Sequence, residues 1–296
     1  GNANLSLGGT LSTAATPVPL LDLNVALDTA QLRDMLGLMS STLLGVDDGA
    51  LQQLKLAANI RGAWGRWGLP DFSVTLDGLQ AKGQASKRDN GVWDVRLTAD
   101  QIDLARYTRN GLPVWLWNLP PLDASIVVRQ LRSNTQVAEN VILDTQYDGR
   151  VLTVKQLNLR TLDGTTLSAN GTLGRDLTVP FDFGLKLSTP DFAALKSNVP
   201  QAVQLMPELV SNALSGAVNV DTRWRVTPEE AARLAVISLG AGRIDTVVTS
   251  HGETDPVTWK ARVRHPSAAE FVRMFSLPYV AAASGTLDFY AEGQVQ

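Results

Sequence analysis

The chain has 296 residues and a net charge of −3, from 26 Lys plus Arg against 29 Asp plus Glu. It is 44% apolar, enough for a sizeable buried face, which excludes intrinsic disorder over most of its length. No segment concentrates positive charge, so there is no electrostatic footprint for a nucleic acid, and the absence of cysteine excludes disulfides, thiolate catalysis and zinc–thiolate sites.

In chain order the main signal is alternation. Leu21, Leu23, Val25 and Leu27 alternate with Asp22, Asn24 and Ala26. The same pattern recurs at Trp93, Val95, Leu97 and Ala99, at Phe181, Phe183, Leu185 and Leu187, and at Val257, Trp259, Ala261 and Val263. Period two over such runs predicts strands with one apolar and one wet face, the arrangement antiparallel sheets permit. A short helical segment follows each run: Thr29–Leu36, Gln101–Tyr107, Thr189–Leu195 and Ser267–Met274. Pro190 suits a first helical turn, and Ser267 with Glu270 has capping-box spacing.

Each helix leads to another predicted strand: Leu51–Ile60, Ala124–Leu131, Ala217–Val226 and Thr286–Val295. Gly-punctuated hairpins at Gly8-Gly9, Gly78 with Gly83, Gly171 with Gly174, and His251-Gly252 precede the alternating runs. The result is a loose repeat of strand, turn, strand, helix, strand. Its units span residues 1–73, 74–140, 141–240 and a truncated 241–296, within one continuous repeat domain. The third unit carries two extra strands, Val141–Gln146 and Val151–Leu159, around Asp148-Gly149. Pro200–Leu214 reads as an amphipathic helix and Thr227–Arg233 as a short capped one. The predicted fold is mainly β with short helices: a long, curled antiparallel sheet with an apolar concave face, like a trough.

Chemistry-bearing motifs are missing. There is no phosphate-binding loop, no nucleophile elbow and no Ser-x-x-Lys pair. The acidic residues before glycines, such as Asp77-Gly78, Asp148-Gly149 and Asp163-Gly164, lack the calcium-loop pattern and read as turns. His251 and His265 read as surface residues at strand ends, and Trp64, Trp67, Trp115 and Trp117 as packing residues near Gly and Pro breaks outside the regular strands. The expectation is no enzyme, no metal and no cofactor. The most apolar stretch, Leu112–Leu122, is too short for a helical membrane span.

The segment from Tyr147 to Leu159 continues through Leu162-Asp163-Gly164-Thr165-Thr166-Leu167-Ser168-Ala169-Asn170-Gly171-Thr172-Leu173. It closes with Phe181–Leu187 and Asp191-Phe192-Ala193-Ala194-Leu195, and Val92–Tyr107 repeats the theme with Ile102-Asp103-Leu104-Ala105. This resembles the repeating pattern of AsmA-type proteins, relatives of TamB, most clearly over residues 74–200. The resemblance implies a periplasmic protein anchored to the inner membrane by a helix outside this chain, which would be a fragment of a longer one. It also implies phospholipid movement towards the outer membrane, and a role in outer-membrane biogenesis and envelope integrity.

A one-sided sheet must cover its apolar face. The two solutions are a closed core and an open trough that takes acyl chains. The expected groove lining is Leu23, Val25, Leu27, Val95, Leu97, Leu152, Val154, Phe181, Phe183, Leu185, Leu187, Trp259 and Val263. The partners to be expected are phospholipid or another acyl-chain ligand, neighbouring segments of the parent chain through strand edges, and envelope proteins. The alternative is a non-enzymatic structural or assembly module.

Overall fold

The computed structural model describes residues 3–13, 19–39, 49–63, 66–103, 119–133, 136–174, 180–198, 216–227, 230–239, 241–251, 256–274 and 284–295. Among these lie sixteen strands and three short helices. The strands form a single sheet whose order follows the chain, with one strand at each end left unclosed. The chain divides into two compact units, Gly1–Lys155 and Gln156–Gln296.

The first unit contains β1 (Ala3–Ser12), β2 (Leu20–Thr29), α1 (Leu32–Met39), β3 (Leu54–Ala63), β4 (Arg66–Leu76), β5 (Leu79–Lys87), β6 (Trp93–Asp103), β7 (Leu122–Ser133) and β8 (Gln136–Tyr147). The division falls within β9 (Val151–Thr161). The second unit continues with β10 (Thr166–Gly174), β11 (Phe181–Thr189), α2 (Phe192–Asn198), β12 (Val218–Val226), β13 (Ala231–Leu239), β14 (Gly242–Ser250), β15 (Val257–His265), α3 (Ala268–Met274) and β16 (Leu287–Val295).

Register carries the fold. Across β1 to β4, Leu7 pairs with Val25, Val25 with Ala58, and Ala58 with Phe72. Leu5, Leu27, Leu56 and Val74 form a second such row. Opposed residues project to the same face, so each row collects apolar side chains on one side and polar ones on the other. In the second unit Leu187, Val220, Ile237, Ile244 and Val263 form an equivalent row.

Three of the predicted helices are present, starting three, three and one residue later than read. Their junctions share one design. The side chain ending the strand accepts a hydrogen bond from the N–H two residues on: Thr29 from Gln31 at 3.1 Å, Thr189 from Asp191 at 3.3 Å, and His265 Nδ1 from Ser267 at 3.0 Å. All three side chains are buried. The first helical N–H then donates to the backbone carbonyl two residues before the next strand: Leu32 to Gln52, Phe192 to Gly216 and Ala268 to Gly285. An otherwise orphaned helix N–H is thereby satisfied, and the return strand is placed. His265 is thus a buried junction residue and not a surface one; His251 is exposed as expected.

Several expectations are corrected. Gln101–Asp103 continue β6 and are not helical; the remainder of that predicted helix, like Pro200–Leu214, Trp64, Trp115 and Trp117, lies outside the described residues. β6 pairs with β7 in parallel, so the antiparallel order is broken there. The connection from Asp103 to Leu122 is long enough for the crossover that parallel pairing demands. Of the predicted helix Thr227–Arg233, Ala231–Arg233 lie in β13 and not in a helix, while residues 228 and 229 lie outside the described residues. The Thr227 hydroxyl does accept from the Glu230 N–H at 3.1 Å, but the bond closes a hairpin, and Ala231 to Arg233 pair with Val226 to Trp224. Trp67 lies inside β4. The Gly68-Leu69-Pro70 sequence that reads as a break is instead a register shift within the strand, a place where proline is tolerated.

Turn acids behave as read. Asp148 accepts from the N–H groups of Arg150 and Val151 at 2.8 and 2.7 Å. Asp77 and Gly78 both have positive φ, 49° and 86°, as a tight two-residue hairpin requires. The Asp77 carboxylate also accepts from the N–H groups of Leu51, Gln52 and Gln53 at 2.7–2.9 Å, fixing the entry to β3.

Gly171 (φ 145°) faces Phe183 across the β10–β11 ladder, and a Cβ there would sit 2.2 Å from the Asp182 carbonyl oxygen. Gly184 has ordinary space, its nearest atom being Asn170 Oδ1 at 3.4 Å. Gly171→Ala is expected to cost roughly 1–3 kcal/mol in urea denaturation, whereas Gly184→Ala stays within about 0.5 kcal/mol of the parent. Equal effects would refute this account of the ladder.

Candidate functional site

Two candidate surfaces follow from the register, one on each face of the sheet. On the apolar face, Leu23, Val25, Leu27, Val95 and Leu97 of the first unit lie in the rows and are half-buried. Leu152 and Val154 alternate with Lys155, whose Nζ lies 3.3 Å from Asp123 on the polar face; Leu152 is half-buried and Val154 buried. In the second unit Phe181, Phe183, Leu185, Leu187, Trp259 and Val263 share the apolar face and are half-buried.

Coverage differs along the strands of the second unit. Phe192 and Leu195 of α2 close a buried cluster with Val218, Val220, Ile237 and Ile244, against which Leu187 and Val263 pack. The opposite strand ends carry aromatics: Phe181 and Phe183 at 6.1 Å between centroids, and Trp224 with Arg233 lying 5.4 Å over its ring. The first unit has Trp67 and Trp93 edge to face at 5.3 Å. In its middle strands Ala99, Val128, Val141 and Tyr147 are buried. Its β1 is the opposite case: Leu5, Leu7 and Leu11 are 71, 67 and 60% exposed. Sequence reasoning missed these leucines because Gly8-Gly9 interrupts their alternation and reads as a turn; the strand in fact runs through both glycines.

The polar face is held by cross-strand ion pairs. Asp182 takes Arg223 in a two-point contact at 2.6 and 2.9 Å and Arg225 at 3.3 Å. Hydrogen bonding from Arg223 holds the Asp182 carboxyl below its ordinary range. Arg243, with Arg264, does the same for Asp245. Burial pushes the Asp123 carboxyl upward, but hydrogen bonds from Arg88 and Lys155 more than offset it.

This face of the first unit also carries a hollow of about 1040 Å³ that crosses β1 to β6. Its walls include the wet positions Asn24, Asn59, Lys82, Gln84 and Arg96, with intervening residues such as Val25 and Ala58 between them; nothing in the sequence reading pointed to it. Among the described residues no group of three or more His, Asp or Glu could hold a metal ion, and no helix is long and apolar enough to cross a membrane. No family model, curated protein or solved structure matches the chain.

A depressed carboxylate pKa stabilises the fold above the unfolded value of about 3.9 and is lost as pH falls through the native value. Stability of the native chain is therefore expected to fall steeply below about pH 4. The double variant Asp182→Asn/Asp245→Asn should show lower stability at pH 7 and a shallower decline in acid. Melting temperatures recorded between pH 7 and 2 test this; identical slopes would remove these pairs as the cause.

Proposed function

We propose that this chain is a lipid-binding segment of an AsmA-like periplasmic protein. In this reading it carries phospholipid acyl chains along its apolar face, between the inner and the outer membrane. The observation that carries the reading is the register: within each unit mostly apolar rows run from strand to strand, and the expected lining is half-buried except at Val154. Contiguous apolar surface of this kind marks interaction sites. An acyl chain suits it because hydrophobic burial needs no directional partner.

At about 0.8 kcal/mol per CH₂, a chain of roughly 16 carbons gains on the order of 12 kcal/mol from water. A lipid leaving a bilayer gains far less, since its origin is equally apolar. A smooth aliphatic path then lowers the barrier to transit more than it adds affinity. Rows of Leu, Val and Ala provide such a path.

A second reading, a structural or assembly module, is favoured by β1. This edge strand presents a free ladder and three exposed leucines, and an added strand could cover both.

The two readings separate by crosslinking. A photoreactive side chain at Leu23 should capture phospholipid from vesicles, and one at Asp22 on the opposite face should not. Leu97→Arg should abolish capture at Leu23 while leaving the circular dichroism spectrum unchanged. A folded chain that captures no phospholipid from Leu23 ends the lipid reading and leaves the module.

A further inference from the structure

The hollow on the polar face is separate from the acyl-chain surface, which lies on the other side of the same strands. It crosses six strands, a span of about 24 Å at the usual strand spacing. A second hollow of about 730 Å³ adjoins it and shares Gln84 and Arg96. Together they make a groove suited to an extended ligand and not to a compact one.

Its charges set it apart from the rest of that face. Elsewhere in the first unit the wet-face cations are neutralised across strands: Lys55 by Asp28 at 3.4 Å, Arg61 by Asp22 at 3.3 Å, and Arg88 by Asp123 at 2.6 Å. Lys82 and Arg96, which project into the groove, have no ion-pair or hydrogen-bond partner among the described residues. One free carboxylate, Asp71, shares the wall, so the groove keeps an excess of cation. Around these charges stand side-chain amides. Asn59 donates to Asn24 at 3.0 Å, and its own Oδ1 is buried without a donor. Gln84 lies directly opposite Arg96.

Amides both donate to and accept from hydroxyls, and unpaired cations attract carboxylates. Single-stranded nucleic acid would be held by stacked aromatics. Of the two aromatic residues along these walls, Phe72 turns its ring to the other face, against Gly83, and Trp67 is engaged edge to face with Trp93. We infer that this groove binds an acidic glycan, with Lys82 and Arg96 on its carboxylates and Asn24 and Gln84 on its hydroxyls.

Titration calorimetry of the folded chain with an oligogalacturonate of about six sugars at low salt tests this. Binding is expected, weakening as salt rises. Maltohexaose, which lacks the charge, and polyglutamate, which lacks the hydroxyls, should each bind at least about tenfold more weakly. The variant Lys82→Gln/Arg96→Gln should lose about tenfold or more in affinity for the oligogalacturonate. Lys260→Gln, on the second unit, should leave it unchanged, and melting temperatures confirm that each variant is folded. No binding of the oligogalacturonate, equally tight polyglutamate, or a folded double variant of parental affinity would each overturn the proposal. Phospholipid capture from Leu23 is read independently of all these outcomes.

Discussion

The structure rests on one geometric constraint: strand residues that face each other across a ladder point to the same side. When every register aligns apolar with apolar, short alternating runs merge into one greasy surface and one wet surface. A slip by a single residue at any ladder would throw a row of leucines into water and bury aspartates. Leu7 with Val25 and Asp182 with Arg223 are products of the same rule, seen on opposite faces.

Register in turn depends on the ends of the strands. Thr29, Thr189 and His265 occupy the same structural place, each buried and each holding the N–H two residues on. Each following helix hands its first N–H to the carbonyl ahead of the next strand. The junction therefore stops one strand and sets the start of the next. Asp77 does a comparable task from a hairpin tip, gathering three N–H groups ahead of β3. Glycines at Gly171 and Gly293 keep the ladder close where Phe183 and Trp259 lie across from them.

The two faces support different chemistry without competing for space. On one side, the second unit closes a buried cluster under α2, and the first unit leaves the leucines of β1 exposed. On the other, many cations are neutralised across strands, and two that are not, Lys82 and Arg96 of the first unit, line one hollow. The lipid reading draws on the first face and the glycan reading on the second, so either can fail alone.

Much of the β architecture was legible in the amino-acid order because alternation needs only neighbouring residues: Leu21 to Leu27 announce their own inward and outward sides. Three helix sites were legible too, from Thr, Pro and Ser caps. Pairing distant segments was not. The parallel step between β6 and β7 leaves no local trace, and Pro70 masks a strand that a shifted ladder rescues. Thr227 and Glu230 have the spacing of a helix cap yet close a hairpin, because the partner strand supplies stronger pairing than a single turn of helix. The chain order thus determines which side chains share a face, since that follows from a two-residue period. Only tertiary structure decided which faces line up, how far each is covered, and which charges remain unpaired, because those depend on neighbours dozens of residues away.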